Sequence, residues 1–526
     1  MRRSLISFLF IYVLLINCAG SLVAQECSKD MTIYGAITAA SGDVSFGREI
    51  YVAGDVNNDG YSDILALAIG GQFSSNAMAI VYSGLTGDSI RTYYNNNSHI
   101  RGAGGFGYFD DDDYADVLVN GVIYSGLSGD TLADYSDVAQ YGISGGDLNA
   151  DGKHDIVVPN INWSTTDGRV DVISGANGDT LHSWTGRSGY AGTFGWSIAV
   201  AGDVDADGTN DIIIGEPRYD SGTLPSGKDK GQVYVYSGRT GYKLYSRVGP
   251  SAYGQFGYNV EGAGDLDNDG FDDILISGQN ETSMSPLKVW AYSVKLKSLI
   301  HSVSGSLYKD EYGAAMDGIG DINQDGYDDF AVSAYRYDYS ASHTRNRGNL
   351  YIYSGIDGSL IQETYKVNIS PLELLGTAIR GLGDIDSDGN PDFAAGAIWA
   401  RAPGDPANEY RGAVYVYRCP MPTNISEEIS IEIPENFALK QNHPNPFNPE
   451  TVFEYGITKQ SQVTIEVFNV TGQKIRTLVN EIVSAGSYQV VWDGRNEFLE
   501  QVASGIYFYR INTGDYTDTK KMVLLR

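Results

Sequence analysis

The chain has 526 residues, with 36 Lys and Arg against 66 Asp and Glu for a formal net charge of -30, and it carries 64 Gly, 38 Tyr and 3 Cys. It is too long for one ordinary hydrophobic core, which stops growing near about 250–300 residues, so several units or a repeat are expected. The charge argues against nucleic acid and anionic membranes as partners and favours cations, while Ile and Val bounded by Gly, Asp and Asn predict an all-β protein of short strands and tight turns.

Residues 1–24 open with Arg2 and Arg3, run apolar over 5–16 and end in Leu22-Val23-Ala24. This predicts a secretory signal peptide cut after Ala24. Cys18 in "LINC" offers a lipoprotein alternative, but Asn17 stands where a small residue is wanted. No later run reaches the roughly 18 apolar residues of a membrane span. Export leaves Cys27 and Cys419 in a compartment where disulfides persist, either paired or as two free thiols.

From residue 55 to 392 the phrase D-x-[DN]-x-D-G-x-x-D recurs six times intact and once degenerate, stepping by 53, 39, 56, 62, 56 and 63 residues. Most copies follow an aromatic-glycine pair and a short strand, as in "TFGWSIAVAGD". An apolar strand such as "DIIIG" comes next, then a variable loop and a hairpin such as "VYVYSGRTGYKL". Each unit thus carries four strands, and seven such units predict a seven-bladed β-propeller over residues 25–420. The last unit reaches only a third strand, "AVYVYRCP", while a spare strand, "MTIYGAIT", precedes the first. If the spare strand pairs antiparallel with residues 413–418, the ring closes, Cys27 and Cys419 fall at one end, and a disulfide would lock it.

Oxygen-bearing side chains at positions 1, 3, 5 and 9 around a glycine at position 6 suit Ca²⁺, which takes six to eight oxygens in a flexible cage. The intact sets are Asp55, Asn57, Asp59 and Asp63; Asp147, Asn149, Asp151 and Asp155; Asp203, Asp205, Asp207 and Asp211; Asp265, Asp267, Asp269 and Asp273; Asp321, Asn323, Asp325 and Asp329; and Asp384, Asp386, Asp388 and Asp392. The degenerate copy offers Asp110, Asp112 and Asp116, with Tyr108 and Asp113 in place of the first Asp and the glycine. Asp, Asn and Gly also simply make turns, but repetition in phase favours six good cation sites and sets the degenerate loop apart. Carboxylates this close would repel without a cation.

In a four-stranded blade the second-to-third and fourth-to-first connections lie on the face opposite the acidic loops. Three are long, residues 216–230, 335–347 and 398–411, and they collect Arg218, Tyr219, Tyr335, Arg336, Tyr337, Arg345, Arg347, Trp399, Arg401 and Tyr410; a shorter loop adds Trp163. Aromatic planes and guanidinium forks suit sugars and carboxylates, although the surface loops of secreted β-proteins carry such residues without binding anything. There is no H-E-x-x-H and no G-x-S-x-G, and "GTLPSGKD" puts Asp where a phosphate loop needs Ser or Thr. A non-enzymatic protein is expected.

Residues 421–436 read as a polar linker. Over residues 437–526, "QVTIEVFNVTGQKIRTLV", "GSYQVVWDG" and "SGIYFYRI" alternate apolar and polar residues and predict a small Ig-like β-sandwich.

Aromatic-Gly, Gly-Asp and the acidic loop together resemble the FG-GAP repeat of integrin α-chain propellers. The resemblance implies seven blades, structural calcium in the hairpins between the first and second strands, and ligands on the opposite face. "NHPNPFNPET", "VFNVTGQKIRTL", "GIYFYRI" and the terminal "KMVLL" resemble the C-terminal sorting domain of type IX secretion substrates of Bacteroidetes-type bacteria. That implies export to the periplasm, handling by the type IX machinery through residues 437–526, and delivery to the outer-membrane surface or the medium. The expected function is a non-catalytic adhesion or binding module for an extracellular glycan or protein. A surface polysaccharide-degrading enzyme or its accessory subunit, and a purely structural surface protein, are the alternatives.

Overall fold

The computed structural model describes residues 27–34, 45–69, 77–95, 100, 102–160, 168–186, 193–220, 229–278, 287–305, 310–337, 347–364, 373–401, 411–419, 437–447, 451–459, 461–483, 486–492, 494–497, 501–514 and 516–525. The expected signal peptide and linker lie outside these residues. Two compact units divide the chain, Met1–Pro422 and Thr423–Arg526.

Among the described residues of the first unit are seven four-stranded antiparallel sheets. In the fourth, Ser197–Gly202, Asp211–Glu216, Gln232–Tyr236 and Lys243–Val248 pair in sequence order. Every residue of Asp211–Glu216 is buried, whereas Lys243–Val248 alternates with exposed positions. A second strand covered on both faces reads as a continuous apolar run, and "DIIIG" accordingly lacks alternation.

The sheets form a ring. A cavity of about 660 Å³ is lined by residues from the first strand of every sheet, among them Tyr51, Gly104, Ser144, Val200, Glu261, Asp317 and Arg380. Arg380 lies 3.5 Å from both Glu261 and Asp317 there. Its Nε donates to the Ile50 carbonyl at 3.4 Å, and Thr377 Oγ1 donates to Gly47 O at 3.3 Å, joining the last sheet to the first.

Glycine-backed aromatics fill the seams. Phe46, Phe194, Phe256 and Tyr312 are at most 1% exposed. Gly231 and Gly412, both at positive φ, open third strands against them, and a Cβ there would lie 2.1 Å from Phe256 O and 2.2 Å from Phe46 O. No other residue fits so close an approach.

Ring closure uses the two ends of the unit. Ser28–Tyr34 pairs antiparallel with Ala413–Arg418, Ile33 opposite Val414, to complete the seventh sheet. Cys27 and Cys419 form a buried disulfide, and Gln362 brackets Cys27 by accepting from its N–H and donating to its carbonyl, each at 2.9 Å. The one described helix is the single turn Ser136–Ala139, in the connection between the second and third sheets, where the sequence shows no helical period.

In the second unit a three-stranded sheet contains Thr451–Ile457 and Gly486–Trp492, and a four-stranded sheet runs in the order Lys474–Val483, Ser461–Asn469, Gly505–Asn512, Thr517–Leu524. Phe453 stacks on Tyr509 at 4.2 Å and Trp492 meets Tyr507 edge-on at 5.2 Å between the sheets. This is a β-sandwich.

Replacing both cysteines by Ser, or reducing them, should lower the denaturation midpoint by the equivalent of about 2–5 kcal/mol, because the bridge closes a very long loop. A urea titration with and without dithiothreitol checks this; an unchanged midpoint would mean that strand pairing alone closes the ring.

Candidate functional site

Each acidic loop is wound by its own carboxylates. In residues 203–211, Asp203 Oδ1 accepts the N–H of Asp207 at 3.0 Å and its Oδ2 that of Gly208 at 2.9 Å, while Asp207 Oδ1 accepts the N–H of Thr209 at 3.0 Å. The first acid makes the same pair of bonds in the loops starting at Asp55, Asp147, Asp265, Asp321 and Asp384. Position 4 is left-handed in every loop, including Ala206 at φ 57° and, in the degenerate copy, Asp111 at φ 63°. The degenerate copy keeps that bend but has Asp113 in place of the glycine, and the ammonium of Lys153 sits 2.5 Å from Asp111.

The ninth acid is the buried one. Asp63, Asp116, Asp155, Asp211, Asp273, Asp329 and Asp392 are at most 1% exposed. One oxygen of each accepts the N–H of position 2, as Asp211 does from Val204 at 2.9 Å. In five sheets the other oxygen accepts an N–H from the turn between the third and fourth strands, as from Gly238 at 3.1 Å, and in the seventh it accepts that of Cys419, just past the third strand, at 3.0 Å. In the fifth sheet Val294 occupies the position that Gly238 holds in the fourth, and Asp273 Oδ1 has no hydrogen-bond partner. Burial, reinforced by neighbouring carboxylates and opposed by the backbone donors, pushes Asp116 and Asp155 up to about 6, Asp63, Asp211 and Asp392 to about 7, and Asp273 and Asp329 to about 8.

Three loops bring carboxylate oxygens within 4.8 Å of one another: Asp203, Asp205 and Asp211; Asp265, Asp267 and Asp269; and Asp384, Asp386 and Asp392. The other three intact loops have Asn57, Asn149 or Asn323 at position 3, so an amide oxygen takes the place of one carboxylate. Buried oxygens at Asn57 Oδ1, Asp267 Oδ1 and Asp273 Oδ1 lack a hydrogen-bond partner. Such atoms, aimed into a ring of anions, are the donor set a hard divalent cation takes. In the seventh sheet Arg418 lies 3.6 Å from Asp386, so that loop already has a cationic neighbour.

Position 8, which the sequence analysis left without a role, links loops of adjacent sheets. Asp272 Oδ2 accepts the N–H of Asp203 at 2.7 Å, and Asp328 Oδ2 accepts that of Asp265 at 2.9 Å. Asn210, also at position 8, donates to Gly145 O at 3.3 Å. The residue type varies, with Ser62, His154 and Pro391 elsewhere. Hence the sequence carries no uniform mark of this contact.

On the opposite face, Tyr335, Arg336 and Trp399 come together in a depression of about 560 Å³, joined by Arg48, Tyr258 and Glu311. Tyr337 instead packs edge-on against Tyr351 at 6.5 Å beside an apolar cluster. Arg218 and Arg401 are exposed and Tyr219 and Arg347 half-buried, none of them lining the depression. Trp163, Arg345 and Tyr410 lie outside the described residues. Arg48 and Tyr258, which the sequence analysis missed, each follow an aromatic-glycine pair, as does Trp196, whose ring lies 5.5 Å from Tyr258. The position after that pair is the mark that would have found them.

Comparison with known proteins agrees with this geometry. Residues 194–236 and 317–353 match the FG-GAP repeat, and residues 442–525 match the secretion system C-terminal sorting domain. The chain carries FG-GAP repeats and a C-terminal sorting domain. It is similar to integrin alpha-5 of Xenopus laevis, 27% identical over 49% of this chain and 23% of the relative. It is also similar to integrin alpha-V of Gallus gallus, 27% identical over 38% and 20%, and to integrin alpha-IIb of Homo sapiens, 31% identical over 36% and 19%. The aligned part of the chain thus spans a fifth to a quarter of these relatives' lengths. The FG-GAP unit is integrin-like in fold, and the sorting domain indicates secretion to the cell surface. Among the described residues no helix is long and apolar enough to cross a membrane.

The raised ninth acids make a pH prediction for the FG-GAP unit without divalent cations. Their folded pKa values of about 6 to 8 exceed the ordinary 3.8, so between those limits the folded chain binds more protons than the unfolded one and stability falls as pH rises. In chelator, the melting temperature should be higher at pH 5.5 than at pH 8, and Asp329→Asn should flatten the slope. A melt independent of pH would contradict the burial of these acids.

Proposed function

We propose that the chain is a secreted, calcium-braced propeller that acts at the cell surface as a non-catalytic adhesion or binding module. One observation carries the reading: the two faces are chemically segregated. The acids of one face are wound around backbone donors and converge on empty-handed oxygens, whereas arginines and aromatics gather about a depression on the other. The acids therefore serve the fold, and the rim is left for a ligand.

The residues that would hold calcium are positions 1, 3, 5 and 9 of the six intact loops, led by the sets at Asp203, Asp265 and Asp384. Bound calcium supplies positive charge where burial and mutual repulsion disfavour carboxylate anions. The chain's own part is to present the oxygens at fixed spacing through the left-handed residue at position 4 and the N–H bonds within each loop. Export through the type IX machinery depends on residues 437–526 in this reading.

With dissociation constants of about 10⁻⁴ to 10⁻³ M, typical of extracellular modules, about 10 mM calcium would stabilise the fold by about 1.4 to 2.7 kcal/mol per site. Adding chelator to the full chain should therefore lower its melting temperature by 10 °C or more by calorimetry. An unchanged melt would remove calcium from the account. Deleting residues 437–526 should leave the propeller in the periplasm of the producing cell, which fractionation reads; surface display of the truncated chain would refute the sorting role.

A further inference from the structure

Resting on the binding-module reading, we infer that the depression at the rim of the axial cavity binds a carboxylate-bearing sugar unit of an acidic polysaccharide. Its volume of about 560 Å³ falls within the range of small-ligand sites, about 300–1,000 Å³. Tyr258, Tyr335 and Trp399 supply flat apolar faces, and Trp399 is 40% exposed there. Arg48 and Arg336 supply the charge. Arg336 is 52% exposed, forms an ion pair with Glu311 at 3.7 Å and lies with its guanidinium 5.4 Å from the centre of the Tyr335 ring, so only part of its donor fork is engaged. Arg48 is exposed and has no hydrogen bond or ion pair among the described residues. Two guanidinium groups against one carboxylate make a positive island in a chain of net charge -30.

The floor is prearranged. Asn259 Nδ2 donates to the carbonyls of Gly313 and Ala314 at 3.2 and 2.6 Å, and Thr377 Oγ1 to Gly47 O at 3.3 Å, so these polar groups are committed; Arg48 and the remaining donors of Arg336 are the ones a ligand can use. A planar guanidinium accepts a carboxylate through two parallel N–H bonds, and aromatic planes suit the apolar face of a sugar ring beside it. Charge also bounds the ligand. The net charge of the whole molecule opposes any polyanion, so binding has to come from these local contacts, read within a Debye length of about 8 Å.

The test titrates the calcium-saturated full chain with trimers of galacturonate, glucuronate and mannuronate, each beside its methyl ester, using calorimetry. Saturable binding of one acidic trimer is expected, at least tenfold weaker for its ester. Arg48→Ala and Trp399→Ala should each weaken it tenfold or more with the melting temperature unchanged, and Arg336→Ala serves as a second charge variant. Equal affinity for acid and ester, or affinity indifferent to Arg48→Ala, would overturn the site, as would silence toward all three trimers. Saturable binding of a matrix protein that survives Arg48→Ala would overturn the site while preserving the module reading.

Discussion

The ninth residue of each acidic loop is an aspartate at most 1% exposed, and its oxygens collect N–H groups from segments that a four-stranded sheet must bring together. One comes from position 2 of its own loop and, in six sheets, one from a residue just past the third strand's end, in the turn to the fourth strand in five of them and from Cys419 in the seventh. A buried carboxylate without such partners costs far more than an exposed one, so the sheet and the loop fold together or not at all. Asp273, with one oxygen left over, marks where that arrangement is incomplete.

Because these acids serve the fold, charge is distributed unevenly. The loop positions hold 24 of the 66 acidic residues, while in residues 437–526 nine Lys and Arg balance nine Asp and Glu. The negative charge thus belongs to the propeller and its linker, and within the propeller it is concentrated on one face. The opposite rim is therefore free to display arginine without burying it against a nearby carboxylate.

Closure then concentrates on the seam between the last sheet and the first. Arg418 shows this: it stands where other sheets have the Ser of their Ser-Gly turn, pairs with Asp386, and donates to the carbonyls of Gly84 and Leu85 in the first sheet. In the first and sixth sheets that position is Ser83 or Ser354, each 3.5 Å from its loop acid. Arg418 and Arg380 on the axis bind the last sheet to the first at two depths, while the disulfide beside Arg418 fastens the first and last strands of the unit within the seventh sheet.

Much of this was legible in the sequence. Seven four-strand units, the acidic loops, the spare strand that completes the last sheet and the alternating C-terminal unit are local patterns, set by turn chemistry and by which residues must be buried. Three features were not legible. The linking bonds at position 8 come from Asp272, Asp328 and Asn210, while the same position holds Ser, His or Pro in other loops, so no residue type marks it. The site at the rim joins Arg48 to Trp399 across about 350 residues of chain, and Tyr337, adjacent to two members of the site, turns into the core instead. The sequence by itself determined what each repeat is, because a repeat folds on its own short-range rules. Only the tertiary structure decided which side chains meet, because in a closed ring neighbours are chosen by the angle between successive sheets and not by distance along the chain.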